Sequence, residues 1–477
     1  RLRGRTWIEE DKRFLSEIVR MARGGRGDSR ALRALKRSET PENAHALLLE
    51  IGFWTEGDLP CPERCGALLS PPPDPGPVRL PEEQRLDLTH LQAWAIDDEG
   101  NDHPDDAVSL DAADGTVWVH VADVAAAVAG GSELDMEARA RGETLYMPHL
   151  TVPMLPETLI QRLGLGLEER SPALSFHLRT EPSGESALID IAASTVAVTR
   201  LTYGEADLQL ETGNRGLAAL KEIADCSARR RLAAGAVAID WPEVDIRADA
   251  GASPAAIDIS PLIRRASRGL VAELMILAGE GAAKHAAENG LPFPFVLQES
   301  AEISEDPGVG WGLAGALALR RRQLPSRPSA SRGRHAGLGV EAYSRVTSPL
   351  RRYLDLVAHQ QLRLHLRGEP TLSEAEIVER MGAADSAALS VRRAERMSRL
   401  HWTLAWLGQR SGWQGEAVIV DHRGSRAVAV IPDLALEIDL QGDGELDLNE
   451  VVQVRLASVD LPRLDARFDL AGRGGSG

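Results

Sequence analysis

The stretch Ala95-Ile96-Asp97-Asp98-Glu99-Gly100-Asn101-Asp102-His103-Pro104-Asp105-Asp106-Ala107 places six acids and one histidine in the ten positions from Asp97 to Asp106. Apolar Trp94 and Ile96 lead into it, and Ala107, Val108 and Leu110 lead out. A buried strand therefore delivers a turn crowded with carboxylates. Like charges held this close repel one another unless a cation lies among them. Magnesium takes hard oxygen ligands and keeps waters for a substrate phosphate. Two such ions about 4 Å apart can activate water and steady a leaving oxygen in phosphodiester hydrolysis. A solvated acidic loop and a calcium loop are competing readings, although no Glu stands at the twelfth place that an EF-hand requires. Alone, the loop also suits a metal phosphohydrolase acting on small nucleotides.

Arginine is the second chemical feature. Of 54 basic residues only Lys12, Lys36, Lys221 and Lys284 are lysines. The guanidinium forks onto phosphate with two parallel hydrogen bonds. A coding bias toward arginine accounts for the bulk of them, and clusters carry the functional reading. Residues 1–37 hold 12 basic and 5 acidic residues, and a second cluster comprises Arg320, Arg321, Arg322, Arg327, Arg332 and Arg334. The net charge of −17 argues against binding a polyanion over the whole surface, but local basic patches can still guide one toward an acidic site.

The elements that must position these groups can be traced along the chain. Its 477 residues suggest two to four domains. The 43% hydrophobic and 26% charged content is that of an ordinary globular protein. The opening RLRGRTWIEEDKR lacks the apolar core of a secretory signal. No apolar run approaches the ~20 residues of a membrane span; the longest, Gly269 to Ala283, is broken by Glu273, Gly279 and Glu280. Three cysteines imply no disulfide framework, which fits a reducing cytoplasm; a monomer is expected. The C-x3-C spacing of Cys61 and Cys65 is that of half a zinc site, but no second ligand pair stands nearby, so the spacing argues against a structural zinc more than for one. Thr6 to Trp54 reads as short helices broken at Gly24-Gly25 and Thr40-Pro41, with Thr40 and Pro41 suited to the N-cap and first helical positions. This basic region is a candidate helix-turn-helix or winged-helix module, and a plain helical packing domain is the equal alternative. Pro60 to Pro81 has a linker composition. Thr116 to Val121 reads as a buried strand, Gly269 to Asn289 as a long helix closed by Gly290, and Met381 to Leu407 as another helix. Ser348 and Pro349 look like the N-cap and first residue of a helix running to Arg367. From Gly415 to Leu470 about five short strands alternate with turn signals such as Gln441-Gly442-Asp443-Gly444, the size of an OB-type barrel, and AGRGGSG closes the chain as a tail. The expected architecture is α+β and multidomain: a helical part with its Pro-rich linker over 1–80, a mixed α/β catalytic part over 81–410, and a β-barrel over 411–477.

Ile96-Asp97, Asp105-Asp106-Ala107, Val119-His120-Val121-Ala122-Asp123-Val124, Tyr146-Met147-Pro148, Val152-Pro153-Met154-Leu155-Pro156-Glu157, Leu201-Thr202-Tyr203, Glu273-Leu274-Met275 and Thr347-Ser348-Pro349-Leu350-Arg351-Arg352-Tyr353 follow one another over about 300 residues. In this order they resemble the ribonuclease II (RNB) family. The resemblance implies a magnesium-dependent hydrolytic 3′→5′ exoribonuclease that admits single-stranded RNA and releases 5′-nucleoside monophosphates. It implies that Asp97, Asp105 and Asp106 are the active-site acids, that Asp97 and Asp106 hold metal, and that Asp105 matters most to the chemistry, through metal, water or both. It implies Arg351 at the scissile phosphate, Tyr146 stacked on the terminal base, Tyr203 as a further channel aromatic, and Glu273 on the terminal ribose. Arg352 and Glu395 are supporting residues, with Arg352, Asp355 and His359 as a candidate network; an ion pair between Arg351 and Asp355 is the plainer alternative for Arg351. His103 stands where the family usually shows an acid. Either it serves as a nitrogen ligand, which points to manganese tolerance, or Asp102 replaces it; a non-catalytic RNA binder is the alternative function. A second clamp aromatic has no clear counterpart, Trp241 and Ile246 being nearest. The cold-shock barrels usual in bacterial members have no equivalent in residues 1–80.

Overall fold

The computed structural model describes residues 9–252, 254–300, 312–441 and 446–473. Most of the turn at 441–444 and the end of the glycine-rich tail lie outside them. The catalytic part is organised by a seven-stranded sheet in the order Leu86–Asp87, Ser186–Val196, Ser171–Thr180, Thr116–Ala122, Asp106–Asp111, Ala93–Asp97 and Val198–Thr202. Its two outermost pairings are parallel and the others antiparallel. Thr116–Ala122 is buried along its whole length, as its apolar run requires of a central strand. One face packs on the Ala266–Glu288 helix through Leu270, Leu274, Leu277 and Ala278. The other packs on the Tyr353–Leu366 and Glu374–Gly408 helices through Tyr353, Leu356, Val357, Ile377 and Met381. Gly290, at φ +62°, follows the end of the first of these helices.

The amino-terminal helices are Glu9–Ala22, Arg30–Ala34 and Pro41–Glu50, sharing a core of Leu15, Ile18, Leu32, Leu47, Leu48 and Trp54. Thr40 caps the third, its Oγ1 accepting the Asn43 amide at 3.2 Å. The carboxy-terminal strands form one five-stranded sheet in the order Leu436–Gln441, Arg426–Ile431, Gln414–Arg423, Val451–Asp460 and Asp465–Arg473. Bulges in the two long strands bend it so that its edges approach each other.

Two expectations are corrected, those for the Pro-rich segment and for the helix at Ser348. The Pro-rich segment is not a free linker: Ser70 accepts a 2.7 Å hydrogen bond from buried Arg141, and Val78 and Leu80 pack on the core. Cys61 and Cys65 form no zinc half-site. Cys61 is a buried thiol pushed up to about 11, and Cys65 Sγ lies 3.5 Å from Met397 Sδ. The helix expected from Ser348 begins at Tyr353 instead, because Arg352 is extended (φ −134°, ψ 122°) and bridges to Glu143. The Tyr353 amide then reaches the Gly142 carbonyl at 2.9 Å. Gly142 sits at φ +73°, and a Cβ there would lie 2.9 Å from the Ala387 side chain, so only glycine fits this approach.

Candidate active site

The acidic turn lies at the ends of two neighbouring strands. Asp97 closes Ala93–Asp97 and Asp106 opens Asp106–Asp111, with Asp105 just before it. Their apolar residues anchor both strands in the core: Ile96 is 1% exposed and Ala107 1%. The connection therefore emerges at the sheet's edge into a cleft of about 990 Å³ lined by Asp97, Asp105, Asp106, Tyr146, Tyr203 and Arg351 among others. Sequence-distant groups thus face one another, and Arg351 lies in the turn before the Tyr353–Leu366 helix and not in the first turn of a helix begun at Ser348.

Arg351 is held by Asp105. Its Nε donates to Asp105 Oδ2 at 2.9 Å and its Nη2 to Ser348 Oγ at 2.9 Å. Asp105 Oδ1 accepts the Leu350 amide at 2.8 Å, so both carboxylate oxygens are engaged. The Arg351–Asp355 alternative is not what forms. Asp355, fully buried, pairs with Arg352 (2.7 Å) and accepts the Ser348 amide (2.9 Å). His359 turns to the Val346 carbonyl at 2.6 Å. Asp355 thus clamps both ends of the turn at 348–352 that presents Arg351.

Burial raises the Asp105 carboxyl to about 6 against the pull of Arg351 and the Leu350 amide. Asp106 is raised further, to about 8, by enclosure first and then by the charges of Asp97 and Asp105. Burial also raises Asp97, opposed by Asn101 and Arg351. Enclosure works against the charge of Arg351, but Asp105, Tyr146 and Asp106 outweigh it and hold its pKa above the usual value. Three adjacent carboxyls that resist ionising together are what a divalent cation would relieve. The oxygen donors Asp97 and Asp106 fit such an ion in chemistry. The four-residue ligand set Asp97, His103, Asp105 and Asp106 is not gathered: among the described residues no three His, Cys, Asp or Glu side chains close around one point. Asp105 is committed to Arg351 and the Leu350 amide, and burial keeps His103 a neutral imidazole whose Nε2 lies 3.8 Å from Glu157. Two carboxylates rather than a closed cage suit magnesium, which retains several waters.

Tyr146 lines the cleft with a 41% exposed residue surface, its hydroxyl pushed up to about 12 by its enclosed surroundings. Its amide donates to Glu395 Oε1 at 2.8 Å, which gives Glu395 a supporting place. Tyr203 has the Arg268 guanidinium 4.2 Å over its ring, and Arg268 also pairs with Asp98. Glu273 is elsewhere: Arg231 binds its carboxylate, and it does not line the cleft. Neither clamp candidate reaches the cleft. Ile246 is 5% exposed within an apolar cluster, and Trp241 lies under Arg320. Arg247, Arg265 and Arg268, none of them among the residues expected from the sequence, also line the cleft. The i, i+3 spacing of Arg265 and Arg268 at a helix start was the available signal.

The comparisons agree with this architecture. The RNB domain model matches residues 85–306 and 316–368, the RNase II-type exonuclease C-terminal S1 domain matches 413–471, and a double HTH domain matches 2–58. The chain therefore belongs to the RNB family of ribonuclease II-type exoribonucleases. It is 31% identical to an uncharacterized ribonuclease of Synechocystis sp., over 92% of this chain and 69% of that one. It is 30% identical to the chloroplastic/mitochondrial ribonuclease II of Arabidopsis thaliana, covering 77% of this chain but 47% of that protein, so it spans about half of that relative. Its fold is shared with Mycoplasma genitalium RNase R, solved in complex with ribose methylated single-stranded RNA, at a TM-score of 0.71 and 19% identity, over 81% of this chain and 72% of that one.

Proposed function

We propose that this chain hydrolyses single-stranded RNA stepwise from the 3′ end, with a divalent cation, releasing 5′-nucleoside monophosphates. The observation that carries the reading is the 2.9 Å contact between Arg351 Nε and Asp105 Oδ2 in a cleft shared by Asp97, Asp106 and Tyr146. Arg351, oriented by Asp105 and Ser348, neutralises charge developing on the phosphoryl oxygens. Asp105 holds that guanidinium in place through Oδ2, and the chemistry depends on it through that contact. Tyr146 offers the terminal base a face to stack on, which tolerates any sequence. Tyr203 lines the same cleft beyond it. Asp97 and Asp106 would hold a magnesium ion, or manganese in its place, which would supply the remaining charge neutralisation, and the loop would have to shift to bring His103 or Asp102 to it. The RNase R complex with single-stranded RNA supports RNA as substrate. The functional division at 1–80, 81–410 and 411–477, a monomeric state and a cytoplasmic location complete the proposal; three free cysteines suit a reducing compartment.

The test is a 5′-labelled single-stranded RNA incubated with magnesium or with chelator. A ladder shortening one nucleotide at a time from the 3′ end, with monophosphates released only when the ion is present, is expected. Retention of intact RNA on the protein under both conditions would instead establish the second reading, a non-catalytic RNA binder. That reading is favoured by His103, which stands in an acid's place and faces Glu157.

A further inference from the structure

The carboxy-terminal barrel is poorly equipped to hold a polyanion alone. Arg423 pairs with Glu437, Arg426 with Asp439, Arg455 with Asp469, and Arg463 with Asp460. Trp413 and Phe468 pack edge to face against each other, with Phe468 in the barrel's core. A different basic element is docked on that barrel. The Leu313–Arg322 helix lays Leu313 and Leu317 against Val420, Val428 and Val430, and its last turn carries Arg320, Arg321 and Arg322. Among the described residues only Arg321 of the three has a carboxylate partner there, Asp421. Arg320 lies 5.5 Å over the ring of half-buried Trp241, and Arg322 Nη1 is buried with no acceptor among the described residues.

This basic end is joined to the cleft through one hairpin. Glu243, two residues beyond Trp241 (roughly 7 Å of extended chain), accepts the Leu262 amide at 2.8 Å, and Leu262 lines the cleft. Arg247 of the Val244–Asp249 strand and Arg265, three residues past Leu262, line it too. Chain connectivity and this one hydrogen bond thus link Trp241, under Arg320, to Leu262 and Arg265 at the cleft. Guanidinium groups suit the phosphates along such a path, and Trp241, packed on the same apolar cluster, is the platform that holds Arg320 there.

We propose that Arg320, Arg322 and Trp241 form an RNA-docking surface that holds the single-stranded backbone upstream of the 3′ end and leads it past the hairpin at 244–261 into the cleft. The proposal rests on the exoribonuclease reading for the direction of travel. It assigns to this helix the phosphate affinity that the barrel's paired arginines do not supply.

The test is fluorescence anisotropy of labelled single-stranded RNA in chelator, so that binding is read without cleavage, across a salt titration. In Arg320→Glu/Arg322→Glu the affinity for an oligonucleotide of about 25 residues should fall roughly tenfold, with the salt slope shallower by about one unit. A pentanucleotide, long enough for the cleft alone, should lose less than about twofold. Trp241→Ala, which removes the platform under Arg320, should weaken the long RNA about fivefold. Arg320→Lys/Arg322→Lys should restore the slope. An unchanged slope in the charge-reversed protein with a normal melting temperature, or equal losses for long and short RNA, would overturn the docking surface. Should these binding changes appear while the product ladder does not, the surface stands and the nuclease reading fails. An intact ladder without them has the opposite meaning.

Discussion

At the residue scale the site is a balance between burial and charge, and the balance can be read by pH. Asp106 is raised from 3.8 to about 8 in the folded protein. Between those values the folded state keeps a proton that the unfolded chain has released. Stability of the metal-free protein is therefore greatest at the acid end of this window and falls as pH rises through it. In chelator the melting temperature should drop by a few degrees between about pH 5 and pH 8, since a tenfold difference in proton affinity between the two states is worth about 1.4 kcal/mol. Asp106→Asn should flatten that slope, and adding magnesium should restore the wild type most at the alkaline end. A wild-type curve as flat as the variant's would remove the strain from Asp106. Asp105 has a different part. Asp105→Asn keeps the shape but weakens the hold on Arg351 Nε, so cleavage should fall by at least about a hundredfold while RNA remains bound. Cleavage at the wild-type rate would contradict the assignment. Tyr146→Ala should change the length of the final product, because the last stacking face is removed; an identical end product would take Tyr146 out of the terminal-base site.

At the scale of the element, the turn at 348–352 decides where Arg351 points. Ser348 is its hinge pin: the amide is held by Asp355, the hydroxyl by Arg351. Ser348→Ala leaves the fold intact and frees Arg351 Nη2, so kcat should fall about tenfold with RNA affinity within about twofold. A drop confined to KM would instead place the serine in RNA binding. The same turn marks the limit of what the sequence discloses. Ser348 and Pro349 carry the right residue types for a helix start, and local preference favours one. The helix nevertheless begins at Tyr353, because Arg352 is pulled into a bridge with Glu143 and Gly142 offers a carbonyl to Tyr353. Those partners lie some two hundred residues away in sequence, where no local pattern registers them. Thr40 and Gly290 were legible because a cap is a local event, and the strands flanking the acidic turn because Ile96 and Ala107 announce burial. Glu273 was misplaced for the converse reason. A lone acid on a helix reads as available until its partner, Arg231, is seen.

At the scale of the whole molecule, the three cores are joined by one long helix, Glu374–Gly408. Its start packs on the catalytic part through Ile377 and Met381. Near its end His401 stacks 6.5 Å from His45 of the amino-terminal helices, and its Nε2 lies 2.8 Å from the Glu56 carbonyl, to which it donates. Burial holds both imidazoles far below their usual range, at about 3 for His45 and about 4 for His401, so this contact stays neutral at ordinary pH. The final turn then enters the barrel: Leu404 and Leu407 belong to the same apolar cluster as Ile419, Ile431, Val452 and Val454. The barrel is therefore built around the helix end and is not an appendage on a tether. Truncation after Arg410 should expose Leu404 and Leu407, each worth about 1.5–3 kcal/mol when buried, together with the faces of Leu313 and Leu317 that rest on the barrel. The truncated chain should melt well below the full protein and associate through the uncovered surface, which differential scanning and light scattering would report. A truncated protein that stayed monomeric at the full melting temperature, losing only RNA affinity, would mean that the barrel docks without contributing to the fold. In that case the long helix would have to be stable on its catalytic contacts alone, which the fully buried Leu407 argues against.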